Sequence, residues 1–242
     1  MKYNIINNKY LELIKNISKY FDQSNQYVHN ARNKLKTIIY DRDTLVIKSF
    51  KIPHIINKIA YTFFRDSKAK KSYENSLKII NFVPNPIGYI EFKKFGLFHN
   101  SYFICEHFNY DFTIRELLFD DNFKDKKIIL KEFAYFTNEL HKSGIYHLDY
   151  SPGNILIKYI DNKYVFKLVD VNRMEFINLD IDTKAKNFSK IWFNDKDLTF
   201  VIKEYTNLND ISYDYFLQMA IKYSHKHKEK VELKKKLKGK NK

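Results

Sequence analysis

The chain has 242 residues, 44% of them hydrophobic and 17% aromatic, and a formal net charge of +15. That length and apolar content suffice for one large or two small packed lobes with a core, which excludes a disordered chain. The single cysteine, Cys105, excludes an internal disulfide and a cysteine-based zinc cluster, and the short, Lys- and Asn-interrupted apolar runs predict neither a spanning helix nor a signal segment, hence a cytoplasmic body.

Residues 3–21 mix apolar and polar positions without a single period. Gln26–His29, Leu35–Tyr40 and Leu45–Phe50 alternate and are separated by Asn30-Ala31-Arg32-Asn33-Lys34 and Asp41-Arg42-Asp43, which predicts three successive antiparallel strands. A helix is predicted to start at Asp66-Ser67, either of which can cap it, and to carry Ala69, Tyr73, Leu77 and Ile80 on its apolar face, bordered by Glu74. After Pro84-Asn85-Pro86, Ile87–Phe92 and Ser101–Glu106 read as strands around a turn near Gly96. Ile129, Phe133, Phe136 and Leu140 recur at helical spacing in a helix that Gly144 stops.

The most informative stretch follows: His147-Leu148-Asp149-Tyr150-Ser151-Pro152-Gly153-Asn154, between the strand-like Gly144–Tyr146 and Ile155–Ile157. A carboxylate on a short loop between buried strands can accept a proton bond from an attacking hydroxyl, a role that falls to Asp149. Magnesium takes one or two protein carboxylates beside phosphate oxygens and water, so Asn154 and Asp170 suit a nucleotide-bound Mg2+. Ile155–Ile160, the Asp161-Asn162 turn and Lys163–Val169 form a predicted hairpin that returns Asp170 towards Asn154. The combination predicts an ATP-dependent phosphotransferase.

At these residues the chain resembles the protein-kinase-like fold, and within it the bacterial lipopolysaccharide kinase family of Kdo and heptose kinases, over about residues 26 to 205. The resemblance implies an α+β, two-lobed fold: an N-terminal lobe over 1–106 with an antiparallel sheet and one helix, a reduced, mostly helical C-terminal lobe over 107–224, and a basic tail over 225–242. It implies that Lys48, in Val46-Ile47-Lys48, orders the phosphates of ATP and is paired by Glu74, and that backbone near Cys105, Glu106 and His107 meets adenine. His147 is expected to be structural, bonding backbone near the metal aspartate.

The chain departs from the protein-kinase pattern in four ways. No glycine occurs before Gly88, so a Gly-rich phosphate loop is absent, and Arg32 between Asn30 and Asn33 is the expected phosphate contact instead. Leu148 stands where protein kinases commonly carry the arginine that pairs with a phosphorylated activation loop. Asp170-Val171-Asn172-Arg173 replaces Asp-Phe-Gly. No proline follows Pro152, and the segment after Asp170 is short for a peptide-docking lobe. A sugar or glycolipid acceptor is therefore favoured over protein; the alternatives are a non-catalytic pseudokinase scaffold or a kinase of another small molecule or of protein. Trp192 is expected in the core and Asp195 and Asp197 in surface turns. Residues 225–242 hold nine Lys against two Glu, a charge run that reads either as a solvated end or as attraction to an anionic membrane face, making the protein peripheral on the cytoplasmic membrane. No nucleic-acid module is visible.

Overall fold

A computed structural model describes residues 1–30 and 33–239, in two compact units: Met1–Asn109 with Asp170–Arg173, and Tyr110–Val169 with Met174 onwards. Arg32 lies outside the described residues. The first unit opens with β1 (Lys2–Ile5), α1 (Leu11–Lys15) and α2 (Ile17–Gln23), the region whose period was mixed because its elements are this short. Strands β2 (Tyr27–Asn30), β3 (Lys34–Tyr40) and β4 (Asp43–Ser49) follow, then helices α3 (Ile55–Phe63) and α4 (Lys68–Lys78) and strands β5 (Pro86–Lys94) and β6 (Leu97–Glu106). The six strands form one antiparallel sheet in the order β1-β5-β6-β4-β3-β2. The β3–β4 turn at Asp41-Arg42 and the β5–β6 turn at Phe95-Gly96 have positive φ at both central residues, the mirror-type turn whose twist matches a hairpin.

The period of two sorts side chains between the faces of this sheet. Leu45, Ile47, Ile87, Ile90 and Ile104 pack with Leu13, Ile14 and Ile17 of α1 and α2. On the opposite face Phe50, Tyr89 and Phe103 pack with Ala69 and Tyr73 of α4. Lys48 has the parity of Phe50 and so belongs to the α4 face. Ser67 caps α4, accepting from the Lys70 N–H at 3.1 Å. The buried face of α4 is Ala69, Ser72, Tyr73 and Ser76, whereas Leu77 and Ile80 are exposed. The expected stripe is therefore wrong at its C-terminal end: two small serines let the helix lie close to the sheet, and the larger Leu77 is turned aside.

The second unit contains β7 (Phe112–Thr113), α5 (Ile114–Leu117), α6 (Lys126–Lys142), β8 (Ile145–His147), β9 (Ile155–Ile160), β10 (Lys163–Leu168), β11 (Met174–Phe176), α7 (Ile181–Asn187), α8 (Asp195–Thr206) and α9 (Tyr213–Gly239). Two small sheets, β10-β9-β7 and β11-β8, carry the loops of interest. The β9–β10 turn at Asp161-Asn162 repeats the positive-φ pair of the other hairpins. Gly144 ends α6 at φ 69, and a Cβ there would stand 2.9 Å from the Ile177 carbonyl oxygen, so the position requires glycine twice over. The core is aromatic: Phe133 lies against Tyr150 and Phe193, and Tyr205 stacks on Phe216.

Two further expectations change. Trp192 is not a core residue; it is part-exposed at φ 69, and its neighbour Phe193 takes the buried position. Helix α9 runs unbroken from Tyr213 into the lysine run, because Lys, Leu and Glu are good helix formers and no Gly or Pro interrupts it before Gly239. It is tied down by Lys228, which donates to the Phe193 carbonyl at 2.7 Å, and by His225 on Asp195 at 2.9 Å. Among the described residues no helix is long and apolar enough to cross a membrane.

Candidate active site

In the first unit, Lys48 is buried on β4 and its Nζ lies 2.7 Å from Asp170 Oδ1. Pairing is what makes a buried ammonium tolerable, since an isolated one would be deprotonated or expelled. Asp170 has φ 59, a left-handed conformation that Asp and Asn adopt at less cost than other side chains. Asn172 Nδ2 donates to the same Oδ1, and Asn75 of α4 donates to the Val171 carbonyl at 2.7 Å. The aspartate is thus presented by a turn fixed on both sides.

The expected Lys48–Glu74 pair is not formed. Glu74 lies on the outer side of α4, half exposed, with Lys70 one turn back at 3.6 Å. The helix residue that reaches the Asp170 segment is Asn75, one position further on, because the buried face is set by Ser72, Tyr73 and Ser76. Glu106 and His107 end the sheet: the Glu106 N–H donates to the Asn85 carbonyl and the His107 N–H to the Thr44 carbonyl, each at 2.9 Å. Those two donors are spent within the sheet, so what these residues can offer a base is their carbonyls. Burial lowers the His107 pKa, leaving a neutral ring, and pushes the Cys105 thiol up to about 12, far from thiolate chemistry.

In the second unit, β8 leads into the loop that holds Asp149 and Asn154. His147 is fully buried; its Nδ1 accepts from the Asp149 N–H at 3.0 Å, which puts the ring proton on Nε2, 3.4 Å from the Val169 carbonyl. The imidazole therefore clamps the backbone of Asp149 to that of the residue before Asp170. Asn154 Nδ2 donates to the Asp149 carbonyl at 2.9 Å, and the Asn154 carbonyl accepts from the Val169 N–H at 2.9 Å. This orientation spends the amide nitrogen and leaves Oδ1, the atom a hard cation takes. Asn154 Oδ1 in the second unit and the Asp170 carboxylate in the first are each hard oxygen donors, and no group of three or more His, Cys, Asp or Glu suited to a metal occurs among the described residues. Each is of the kind Mg2+ takes, since that ion keeps water and phosphate oxygens as its other ligands.

A second layer was not legible from spacing. His141 at the end of α6 bonds Asn187 Oδ1 through Nε2 at 3.0 Å and the Tyr205 hydroxyl through Nδ1 at 2.9 Å. Asn187 Nδ2 donates to the His147 carbonyl at 3.1 Å, so its Oδ1 must accept; His141 then donates from Nε2 and accepts the Tyr205 proton at Nδ1. Burial lowers the His141 pKa to about 4, consistent with that neutral form. Lys190 Nζ donates to the Leu148 carbonyl, tying the Trp192 segment to the residue before Asp149. The Trp192 ring meets the ring of His227 on α9 at 5.6 Å. His227 lies in the fields of Asp149, Lys190, Lys230 and Lys234, and burial lowers its pKa first, with the lysines adding to that effect. Asp197 is no surface turn: it is buried and paired with Lys126 at 2.9 Å, while Asp195 holds His225.

No family model matches the sequence, and no curated protein is similar to it at the sequence level. The solved structure of WaaP in complex with acyl carrier protein superposes with a TM-score of 0.61 over 96% of this chain and 98% of that one, at 10% identity. The fold is protein-kinase-like. At 10% identity the likeness defines the fold and transfers no residue role. The Rio2 kinase of Chaetomium thermophilum, in an ADP/Mg2+ phosphoaspartate complex, reaches 0.49 over 87% of this chain and 65% of that one at 13% identity. WbdD bound to a kinase inhibitor reaches 0.48 over 84% and 45%, also at 13% identity. At those scores neither adds to the assignment, which rests on WaaP, the antiparallel N-terminal sheet and the mostly helical second unit.

Proposed function

We propose that the chain is a kinase that transfers the γ-phosphate of ATP to a hydroxyl of a lipopolysaccharide core sugar, Kdo or heptose. Asp149 orients the hydroxyl and accepts its proton, Lys48 orders the phosphates, Asn154 and Asp170 hold Mg2+, the Glu106 and His107 carbonyls meet adenine, and Arg32 contacts phosphate. The observation that carries this reading is the Lys48–Asp170 pair at 2.7 Å. A buried ammonium against a carboxylate is the arrangement that phosphate oxygens and a divalent cation can enter, each taking over the charge that the other partner now neutralises. It supports catalysis over a scaffold role, since a scaffold gains little from holding a buried lysine against a part-exposed carboxylate.

The acceptor class rests on the resemblance to Kdo and heptose kinases, with the Trp192 ring and the cations about His227 as the surface beside Asp149 that suits an anionic sugar. The lysines of α9 and a peripheral position on the cytoplasmic membrane belong to the same reading, because such acceptors are membrane-bound and anionic. The deciding experiment is Mg2+-dependent transfer from γ-labelled ATP to extracted lipopolysaccharide by wild type and Asp149→Asn. Label in the glycolipid with wild type only is the expected result. Folded protein that binds ATP and labels nothing would favour the scaffold, and label in protein or another small acceptor would replace the sugar.

A further inference from the structure

Helix α3 is built inside out. Its inner side is fixed to β6 by Tyr61, whose ring lies 5.3 Å from that of Phe98, and by Thr62, whose hydroxyl accepts from the Phe98 N–H at 2.9 Å. No residue of α3 is buried. Ile55, Ile56, Ile59 and Phe63 recur at helical spacing along α3, with Ile52 just before the helix and Phe64 just after it. Ile56 is 79% exposed, Phe63 68% and Phe64 81%. Single exposed hydrophobic residues are ordinary, but four along one helix, flanked by two more, are not.

The surroundings indicate what covers this stripe. Residues 51–71 carry Lys51, Lys58, Arg65, Lys68, Lys70 and Lys71 against the single acid Asp66. Beside the stripe a cavity of about 160 Å³ is lined by Lys51, His54, Asn57, Tyr61 and Lys68, with no Asp or Glu in its wall. Phe63 and Phe64 border a second hollow with Lys2, Arg65, Asp66, Glu91 and Lys93, and the excess of cations around the apolar side chains complements an anionic bilayer surface.

We propose that α3 is an interfacial membrane-docking helix, whose Ile and Phe ridge enters the acyl boundary of an anionic bilayer while the cavity beside it takes a lipid phosphate. Aliphatic and aromatic residues on one side, flanked by cations, are the composition that holds a helix in the plane of a bilayer surface. This inference is independent of the acceptor and of α9: it rests on the first unit alone.

The test is sedimentation of the full chain with phosphatidylcholine vesicles, with and without about one quarter phosphatidylglycerol. Wild type is expected to bind the anionic vesicles. Ile56→Asp/Phe63→Asp is expected to lower that binding about tenfold or more, with an unchanged circular dichroism spectrum and unchanged ATP binding, because both side chains are exposed. Lys51→Gln/Lys68→Gln should weaken binding to anionic vesicles and flatten its salt dependence. Lys234→Gln/Lys235→Gln/Lys236→Gln in the full chain separates the two basic regions: loss of all binding in that variant, with Ile56→Asp/Phe63→Asp unaffected, would overturn the proposal. So would light scattering that showed wild type as a dimer and the Asp variant as a monomer, since the ridge would then be covered by a second copy.

Discussion

The two units hold their candidate site residues by opposite means. In the first, Lys48 and Asp170 face each other as charges, and the pair is held by a short turn and one asparagine of α4. In the second, the backbone of Asp149 is bonded by neutral side chains: His147 bonds its N–H, Asn154 its carbonyl, and Asn187, His141 and Tyr205 form a buried relay behind them. A charge pair reorganises when phosphate and cation arrive. A satisfied neutral network does not, because breaking it leaves buried donors without acceptors. On the proposed function, the first unit's pair suits an exchange of partners and the second unit's network suits the rigidity that positioning of a nucleophile requires.

The contrast predicts different failures. Asp149→Asn removes the proton acceptor and leaves its backbone bonds in place, so transfer should fall by about 10³-fold with little change in melting temperature. Single-turnover transfer and a thermal melt check this; retained transfer would exclude Asp149 as the base. Lys48→Met should cost about 10²-fold in kcat/KM and weaken nucleotide binding, without destabilising the fold, because Asp170 is solvent-accessible enough to rehydrate. A marked loss of stability in that variant would mean that the pair is structural and the comparison false.

Acid should break the second unit's relay. The folded pKa of His141, about 4, lies below its ordinary value of 6.5, so the unfolded chain binds the extra proton first. The stabilisation is complete above pH 6.5 and is lost as pH falls towards 4, by about 3 kcal/mol for a shift of this size. Urea midpoints across that range should show the slope in wild type and its absence in His141→Gln. Equal slopes would remove His141 from the account. Asn187→Ala should lower stability at neutral pH by about 2 kcal/mol, since it orphans His141 Nε2 and the His147 carbonyl together.

Much of this contrast could be read from sequence, and the rest failed for identifiable reasons. The loops that carry the candidates Asp149, Asn154 and Asp170 are legible because they are bounded by local hairpins and a helix stopped by Gly144, all of which leave marks within a few residues. The pairing of β1 with β5 joins Lys2 to Glu91, and the His141–Asn187 bond spans 46 positions; neither leaves a local mark. Trp192 was misplaced because large aromatics at helical spacing usually pack inward, whereas here Phe193 occupies that position. The inverted polarity of α3 has a similar cause: apolar spacing identifies a stripe without saying what it faces.

The smallest expected effect tests the finest difference between the sequence reading and the structure. Glu74 was the natural partner for Lys48 because an acid bordering the apolar stripe of that helix is what the kinase-like resemblance implies. The stripe, however, was phased on Leu77 and Ile80, which are exposed; phased on Ser72 and Ser76 instead, the helix turns Glu74 outward and Asn75 towards the Val171 carbonyl. Glu74→Ala should therefore change stability by less than about 0.5 kcal/mol, as expected for an exposed acid 3.6 Å from Lys70, and leave kcat within about threefold. Asn75→Ala should cost more, about 1 kcal/mol, with a raised KM for ATP, because it frees the turn that presents Asp170. If Glu74→Ala instead abolished transfer while Asn75→Ala did nothing, α4 would have to rotate during turnover to bring the acid onto Lys48.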